Sequence, residues 1–187
     1  MKAKENKEDT ILDASIKVFS KKGYDSATID EIAKKAKVSK GIVFFYYKKK
    51  DNLIEKAALR SVPADEILDI NNRGHGNAIE LLIDFGISFL KKYEDPDLRS
   101  LLLMTMANKE RYKRIDIQLR TVCFQEMDRM FTKLEELSGA SIPAPMRKAF
   151  FGSLLCYVVW WKDNKMNPEE YVKSLAEGVL NSIRRKI

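Results

Sequence analysis

Apolar residues recur along this chain at helical spacing from one end to the other. Ile11, Ala14, Ser15, Val18 and Phe19 fall at i, i+3, i+4, i+7 and i+8, one face of a helix that ends near Gly23. Thr28-Ile-Asp-Glu31 has the form of a capping box: Thr28 can close the helix start while Glu31 reaches back. A helix over 28–36 follows, with Ile32, Ala33 and Ala36 inward. Ser39 caps a third helix, which runs to about Tyr46. Leu53, Ile54, Ala57 and Ala58 mark a fourth, starting at Asp51 and ended or kinked by Pro63. Asn71 to Asn77 reads as a loop. Ile79, Leu82, Ile83, Gly86, Phe89, Leu90 and Tyr93 repeat at helical spacing before a break at Asp95-Pro96-Asp97. Leu98 to Thr105 starts another helix, and a long one is expected from about Lys109 to Leu137. Gly139 to Pro145 is a turn, and two last helices cover Met146–Asp163 and Pro168–Arg185. No stretch alternates with period two and there is no internal repeat, so the expected fold is all-α.

The segment 28–46 has the parts of a helix-turn-helix, two short helices at a steep angle around a small apolar contact. Ala33 is small where the second helix must approach, and Ile32, Val38 and Val43 are spaced to pack between them. Val43 and Tyr47 share one face of the next helix, so Lys40, Gly41, Phe44 and Phe45 point elsewhere. Lysines stand at 37, 40, 48, 49 and 50, with no acid until Asp51 and four aromatics, Phe44 to Tyr47, between them. Cations for phosphates beside tips for base edges are the mixture of a DNA-reading helix. A generic amphipathic helix with a lysine tail is the plainer alternative.

Composition narrows this picture. Of 187 residues, 45% are hydrophobic and 33% charged, which rules out a wholly disordered chain. Five Pro and eight Gly are too few for a fold full of tight β-turns. The net charge of +7 is unevenly placed. Residues 1–60 hold 15 Lys+Arg and 9 Asp+Glu, a net of +6, and the rest hold 19 and 18, a net of +1. Charge alone fits either a polyanion-binding module on a neutral body or a solvated lysine face. Cys123 and Cys156 lie in apolar surroundings and are expected to be buried reduced thiols. The N-terminal stretch lacks the apolar core of a secretory signal, and the uncharged apolar run from Ala149 to Trp161 is too short to span a membrane. A cytoplasmic location with no membrane partner is expected. His75 is the single histidine and has no Cys or Asp at catalytic or metal spacing. No nucleophile elbow, P-loop or dinucleotide fingerprint occurs. Neither an enzyme nor a cofactor or metal is expected.

Ile11-Leu-Asp-Ala-Ser-Ile-Lys-Val-Phe19, Gly23-Tyr24, Ala27-Thr28, Ile32-Ala33, Val38-Ser-Lys-Gly-Ile-Val-Phe-Phe-Tyr-Tyr47 and Lys50-Asp-Asn-Leu53 resemble the DNA-binding region of the tetracycline-repressor (TetR) family. The likeness covers about residues 10–53 without a gap. It implies an all-helical homodimer with a DNA-binding domain over 1–50 and a ligand-binding and dimerisation domain over 51–187. It also implies roles: Thr28 caps a helix and touches a phosphate, while Lys40, Gly41 and Ile42 open the recognition helix near the bases. Phe44 and Phe45 match an exposed aromatic pair, Tyr46 lies at the backbone edge and Lys50 meets a phosphate at the start of the fourth helix. Three positions depart from the pattern. Lys37 stands for a turn glycine, Ile42 for a threonine and Phe44 for a tyrosine. The last two remove hydroxyls, which shifts phosphate binding to lysines and base reading towards thymine methyls.

In the second part, Ala149–Trp161 is apolar all round, as in a helix shared between two surfaces. Its small residues Ala149, Gly152, Ser153 and Cys156 fall on one face, with Phe150, Leu154, Tyr157, Val158 and Trp161 on another. The last helix offers Val172, Leu175, Ala176, Val179 and Ile183. The resemblance implies a four-helix dimer contact, drawn from Gly152, Ser153, Cys156, Leu175, Val179 and Ile183. Phe85, Phe89, Met104, Phe124, Met127, Phe131, Phe151 and Trp160 are candidates to line an apolar pocket, although plain core packing explains any one of them. The expectation is a repressor that binds a pseudo-palindromic operator in double-stranded DNA and is released by a hydrophobic small molecule. The alternative is a helical bundle that sequesters an apolar molecule, its basic arm serving solubility.

Overall fold

A computed structural model describes residues 6–108, 110, 112–161 and 166–184. Among these residues the chain is helical with no strand: α1 Lys7–Ser26, α2 Ile29–Ala36, α3 Lys40–Tyr47, α4 Lys50–Ser61, α5 Ala64–Asn72, α6 Ala78–Lys92, α7 Pro96–Ala107, α8 Lys113–Leu119, α9 Gln125–Ser138, α10 Ala144–Cys156 and α11 Pro168–Arg184. Two π-helical turns, Arg120–Phe124 and Tyr157–Trp161, continue α8 into α9 and extend α10. The helices divide into two compact units, Met1–Val62 with Asp95–Leu119, and Pro63–Glu94 with Arg120–Ile187.

In the first unit α1 packs on α2, α4 and α7, around Ile11, Phe19, Tyr24, Ile32, Val43, Leu53, Ala57 and Leu101. Gly23 adopts φ 81°, so α1 kinks where the sequence ends it and closes with one further turn to Ser26. The kink brings Tyr24 inward. Its hydroxyl pairs with that of Thr105 at 2.7 Å, and burial pushes its pKa up to about 12. The Tyr47 hydroxyl donates to the Glu8 carbonyl at 3.1 Å, tying the end of α3 back to α1. The packing does not divide the chain after residue 50. Leu53, Ile54, Ala57 and Ala58 of α4 are buried in this first core, and α7 and α8 join it through Leu101 and Ile115.

In the second unit α6 lies against α11 so closely that a Cβ on Gly86 would sit 2.5 Å from Val172 Cγ1. Phe85, Phe89, Tyr93, Phe150 and Phe151 stack around this contact, with ring centroids 5.0 to 6.3 Å apart. Within it Lys92 Nζ donates to both oxygens of Glu66, at 2.8 and 3.0 Å. The turn between α9 and α10 closes on one carboxylate. Glu135 accepts from the Ile142 N–H at 2.6 Å, the Ser141 hydroxyl at 3.1 Å and the Arg147 guanidinium at 2.6 Å. The Ile142 N–H above all, helped by Ser141 and Arg147, holds its pKa below the usual carboxylate range.

The expected helix over 109–137 is continuous from Lys113 but carries the π turn in its middle; Lys109 and Arg111 lie outside the described residues, as do the ends expected at Asp163 and Arg185. Cys123 is buried, and burial raises its pKa to about 11. Cys156 is exposed, contrary to expectation, because it lies on the outer face of α10.

Candidate nucleic-acid interface

The helix-turn-helix is assembled by devices of a few residues each. Thr28 Oγ1 accepts from the Glu31 N–H at 3.2 Å, and Glu31 Oε2 accepts from the Thr28 N–H at 3.0 Å, so the capping box is complete. Lys22 is ion-paired with Glu31, and this pairing with the Thr28 N–H lowers the Glu31 pKa. At the other end of α2 the chain reverses through Lys37 at φ 56° and ψ 41°. The Lys37 N–H donates to the Lys34 carbonyl at 3.2 Å and that of Val38 to Ala33 at 3.0 Å, a Schellman closure. Ser39 Oγ then accepts from the Ile42 N–H at 3.4 Å and starts α3.

These constraints fix which side of α3 faces out. Val43 and Tyr47 are buried, Ile42 and Tyr46 half-buried, and Lys40, Gly41, Phe44 and Phe45 exposed. Phe45 is 74% exposed and meets the Tyr46 ring edge-on at 5.2 Å. Thr28, Lys34, Lys35, Lys37, Lys48 and Lys49 are also exposed. Two features carry no periodic signal in the sequence. Lys40 Nζ pairs with Asp30 at 2.8 Å, and Lys50 Nζ donates to the Asp25 carbonyl at 2.9 Å. Lys50 is therefore held at the first turn of α4, next to Lys49, whose side chain makes no cap. Lys48, at φ 50°, is a second non-glycine residue in the left-handed region.

The eight expected pocket residues are divided between the two units, Met104 in the first and the other seven in the second. Phe85 and Phe89 are buried in the aromatic core of the second unit, with Phe151 half-buried beside Phe89. Met104 is half-buried against the core of the first unit, because α7 belongs there. Trp160 is 73% exposed on its π turn. Phe124, Met127 and Phe131 share a cavity, an open groove of about 300 Å³ completed by Asp128, Ala144, Arg147 and Lys148. Arg147 stacks over the Phe131 ring at 5.5 Å.

Of the expected dimer residues, Gly152, Ser153 and Leu175 are half-buried and Cys156 is exposed. Val179 and Ile183 are not on that face; both are buried inside the second unit, where the inward stripe of α11 also holds Val172 and Ala176. Sequence reasoning missed Ser174 and Gly178, which are exposed on α11, and a Cβ on Gly152 or Gly178 would meet nothing within 4 Å. Their i, i+4 spacing of small residues was the available signal.

His75 is nearly buried, with its Nε2 3.5 Å from Asp84, and the nitrogens of its ring have no hydrogen-bond partner. Among the described residues no three His, Cys, Asp or Glu side chains gather as a metal site, and no helix is long and apolar enough to cross a membrane.

Residues 11–57 match the sequence model of "Bacterial regulatory proteins, tetR family". The biofilm operon icaADBC HTH-type negative transcriptional regulator IcaR of Staphylococcus aureus is 26% identical over 103 residues, 54% of this chain and 55% of that protein. The matched region thus spans about half the length of this curated relative. The fold is shared with the fatty acid degradation regulator FadR of Bacillus halodurans, at TM-score 0.72 and 22% identity, covering 96% of this chain and 97% of that one. It is shared too with the transcriptional regulator FadR of Bacillus subtilis, solved in complex with stearoyl-CoA, at TM-score 0.68 and 20% identity over 93% and 98% of the two chains.

Proposed function

We propose that this chain, whose residues 11–57 match the tetracycline-repressor family of bacterial regulatory proteins, is a homodimeric transcriptional repressor released from its operator by a hydrophobic small molecule. The observation that carries this reading is the exposed face of α3, which the capping box and the Schellman turn aim outward among lysines. Thr28, Lys40, Gly41, Ile42, Phe44, Phe45, Tyr46 and Lys50 are assigned to DNA. Thr28, Tyr46 and Lys50 position the backbone, and the exposed residues of α3 meet the bases.

A dimer forms through the outer face of α10 and α11, where Gly152, Ser153, Cys156, Ser174 and Gly178 let another helix approach closely. Val179 and Ile183 support that face from within. Two recognition helices then enter successive major grooves about 34–36 Å apart on a pseudo-palindromic operator. The effector site is the groove of Phe124, Met127 and Phe131. The fold shared with a regulator that holds stearoyl-CoA supports a lipophilic effector, and ligand binding acts by favouring a dimer geometry that DNA does not accept.

A mobility-shift assay with the DNA flanking the protein's own gene tests the reading. A sequence-specific shift at moderate salt is expected; its absence would remove the regulator assignment. Crosslinking at micromolar concentration tests the dimer, and a monomer there would sink it.

A further inference from the structure

We infer that α3 reads its operator chiefly through the methyl groups of thymine, with Phe44 and Phe45 as the reading side chains. The inference rests on the regulator reading above and names what that interface recognises.

Major-groove reading draws on Arg or Lys at guanine, Asn or Gln at adenine, and Asp or Glu at cytosine. The eight residues of α3, Lys-Gly-Ile-Val-Phe-Phe-Tyr-Tyr, contain no Arg, Asn, Gln, Asp or Glu. Of the four exposed residues only Lys40 has a hydrogen-bonding side chain, and its ammonium sits on Asp30 at 2.8 Å. To reach a guanine edge it must leave that carboxylate. What α3 offers freely is apolar: Phe45, 74% exposed, and Phe44, 40% exposed. The one apolar group that base pairs present in the major groove is the C5-methyl of thymine.

Three further observations suit this partner. The edge-on contact with Tyr46, at 5.2 Å and 88°, holds the Phe45 ring in place, so little freedom is lost on binding. A Cβ on Gly41 would meet nothing nearer than Ser39 Oγ at 3.8 Å, so the fold does not demand glycine there, and its bareness leaves room for a base edge. The exposed lysines 34, 35, 37, 48 and 49 flank this apolar face with cations, the complement of a phosphate-lined groove rather than of an apolar protein surface.

The test uses the full-length protein and duplexes selected by it from a randomised pool. The selected half-site is expected to carry thymines on the steps facing α3. Replacing these by deoxyuridine, which lacks only the methyl, should weaken binding about fourfold per methyl removed. The same replacement outside the half-site should leave binding unchanged. Phe45→Ala should bind the thymine duplex more weakly and respond to deoxyuridine less than twofold; its high exposure leaves the fold intact. Equal binding of thymine and uracil duplexes by the wild type overturns the inference, as does a Phe45→Ala, Phe44→Ala double variant that still discriminates them. A pool that yields no shared sequence fails earlier: it overturns the regulator reading itself, and the inference falls with it.

Discussion

The helix-turn-helix of the first unit and the core of the second are held together at different ranges along the chain. In the helix-turn-helix, orientation is set by contacts between residues three to five apart: Thr28 with Glu31, Lys37 with Lys34, Val38 with Ala33, Ser39 with Ile42. In the second, the decisive contacts join residues tens of positions apart: Gly86 against Val172, Lys92 with Glu66, Asn71 with Glu126. A reading surface must be presented in one orientation, and short-range devices fix orientation with few residues. A body that changes state for a ligand, as the proposed function requires, can be built from long-range packing with two discrete arrangements. Substitutions in the two regions should therefore fail differently, by whole-unit destabilisation in the second unit and by local loss in the helix-turn-helix.

The largest effect is expected at Lys92, whose side chain is 6% exposed and whose partner Glu66 is 18% exposed. Lys92→Met leaves a carboxylate buried without its cation and should cost about 3 kcal/mol in denaturant unfolding. The Lys92→Met, Glu66→Leu double variant should recover most of that. A single-variant cost under about 1 kcal/mol would show that apolar packing alone holds the second unit. Gly86→Ala comes next. Its new methyl would clash with a β-branched side chain, and overpacking of this kind costs about 2 kcal/mol, although alanine favours a helix. Shortening the neighbour with Val172→Ala should rescue the Gly86→Ala variant. If Gly86→Ala instead raised the melting temperature, the close approach of α6 and α11 would be wrong.

The same contrast in range explains what could be read in the sequence. Helices expected over 28–36 and 39–46 are found at Ile29–Ala36 and Lys40–Tyr47, because capping box, turn and cap each carry a local signature. The all-α fold, and the family that residues 11–57 match, were legible for the same reason. Helix faces were legible, but not which helix they meet. Met104 is of a type that suits an apolar pocket, yet α7 packs it against the first core. Val179 and Ile183 have the right spacing for an outer stripe, yet α6 covers that side of α11. Periodicity says that a face is apolar; it does not say whether another helix of the same chain or a second copy covers it. The π turns leave no periodic trace at all.

In the first unit the expected effects are smaller and separable from the second. Thr28→Ala removes one half of the capping box and should cost about 1 kcal/mol, while Thr28→Ser should be near neutral. Because the loss is confined to the start of α2, hydrogen exchange should rise at Glu31 and Ile32 and stay unchanged across α6 and α11. A rise throughout would mean that the two units unfold together and that the short-range character of the helix-turn-helix has no energetic meaning.

Lys37→Gly is the smallest change and the one with the opposite sign. Lys37 holds φ 56° in the Schellman turn that sets the angle between α2 and α3. A side chain in that region costs about 1 kcal/mol that glycine avoids, while glycine's extra freedom in the unfolded chain takes back part of the gain. The variant should therefore be more stable, by about 0.5 kcal/mol. Its DNA binding should nevertheless weaken and show a shallower dependence on salt, since one exposed lysine beside the reading helix is gone. Stability and binding would then move in opposite directions at a single residue, which is what a surface selected for its partner rather than its fold predicts. A lower melting temperature would count against strain at this turn. An unchanged salt slope would take Lys37 out of the phosphate contacts.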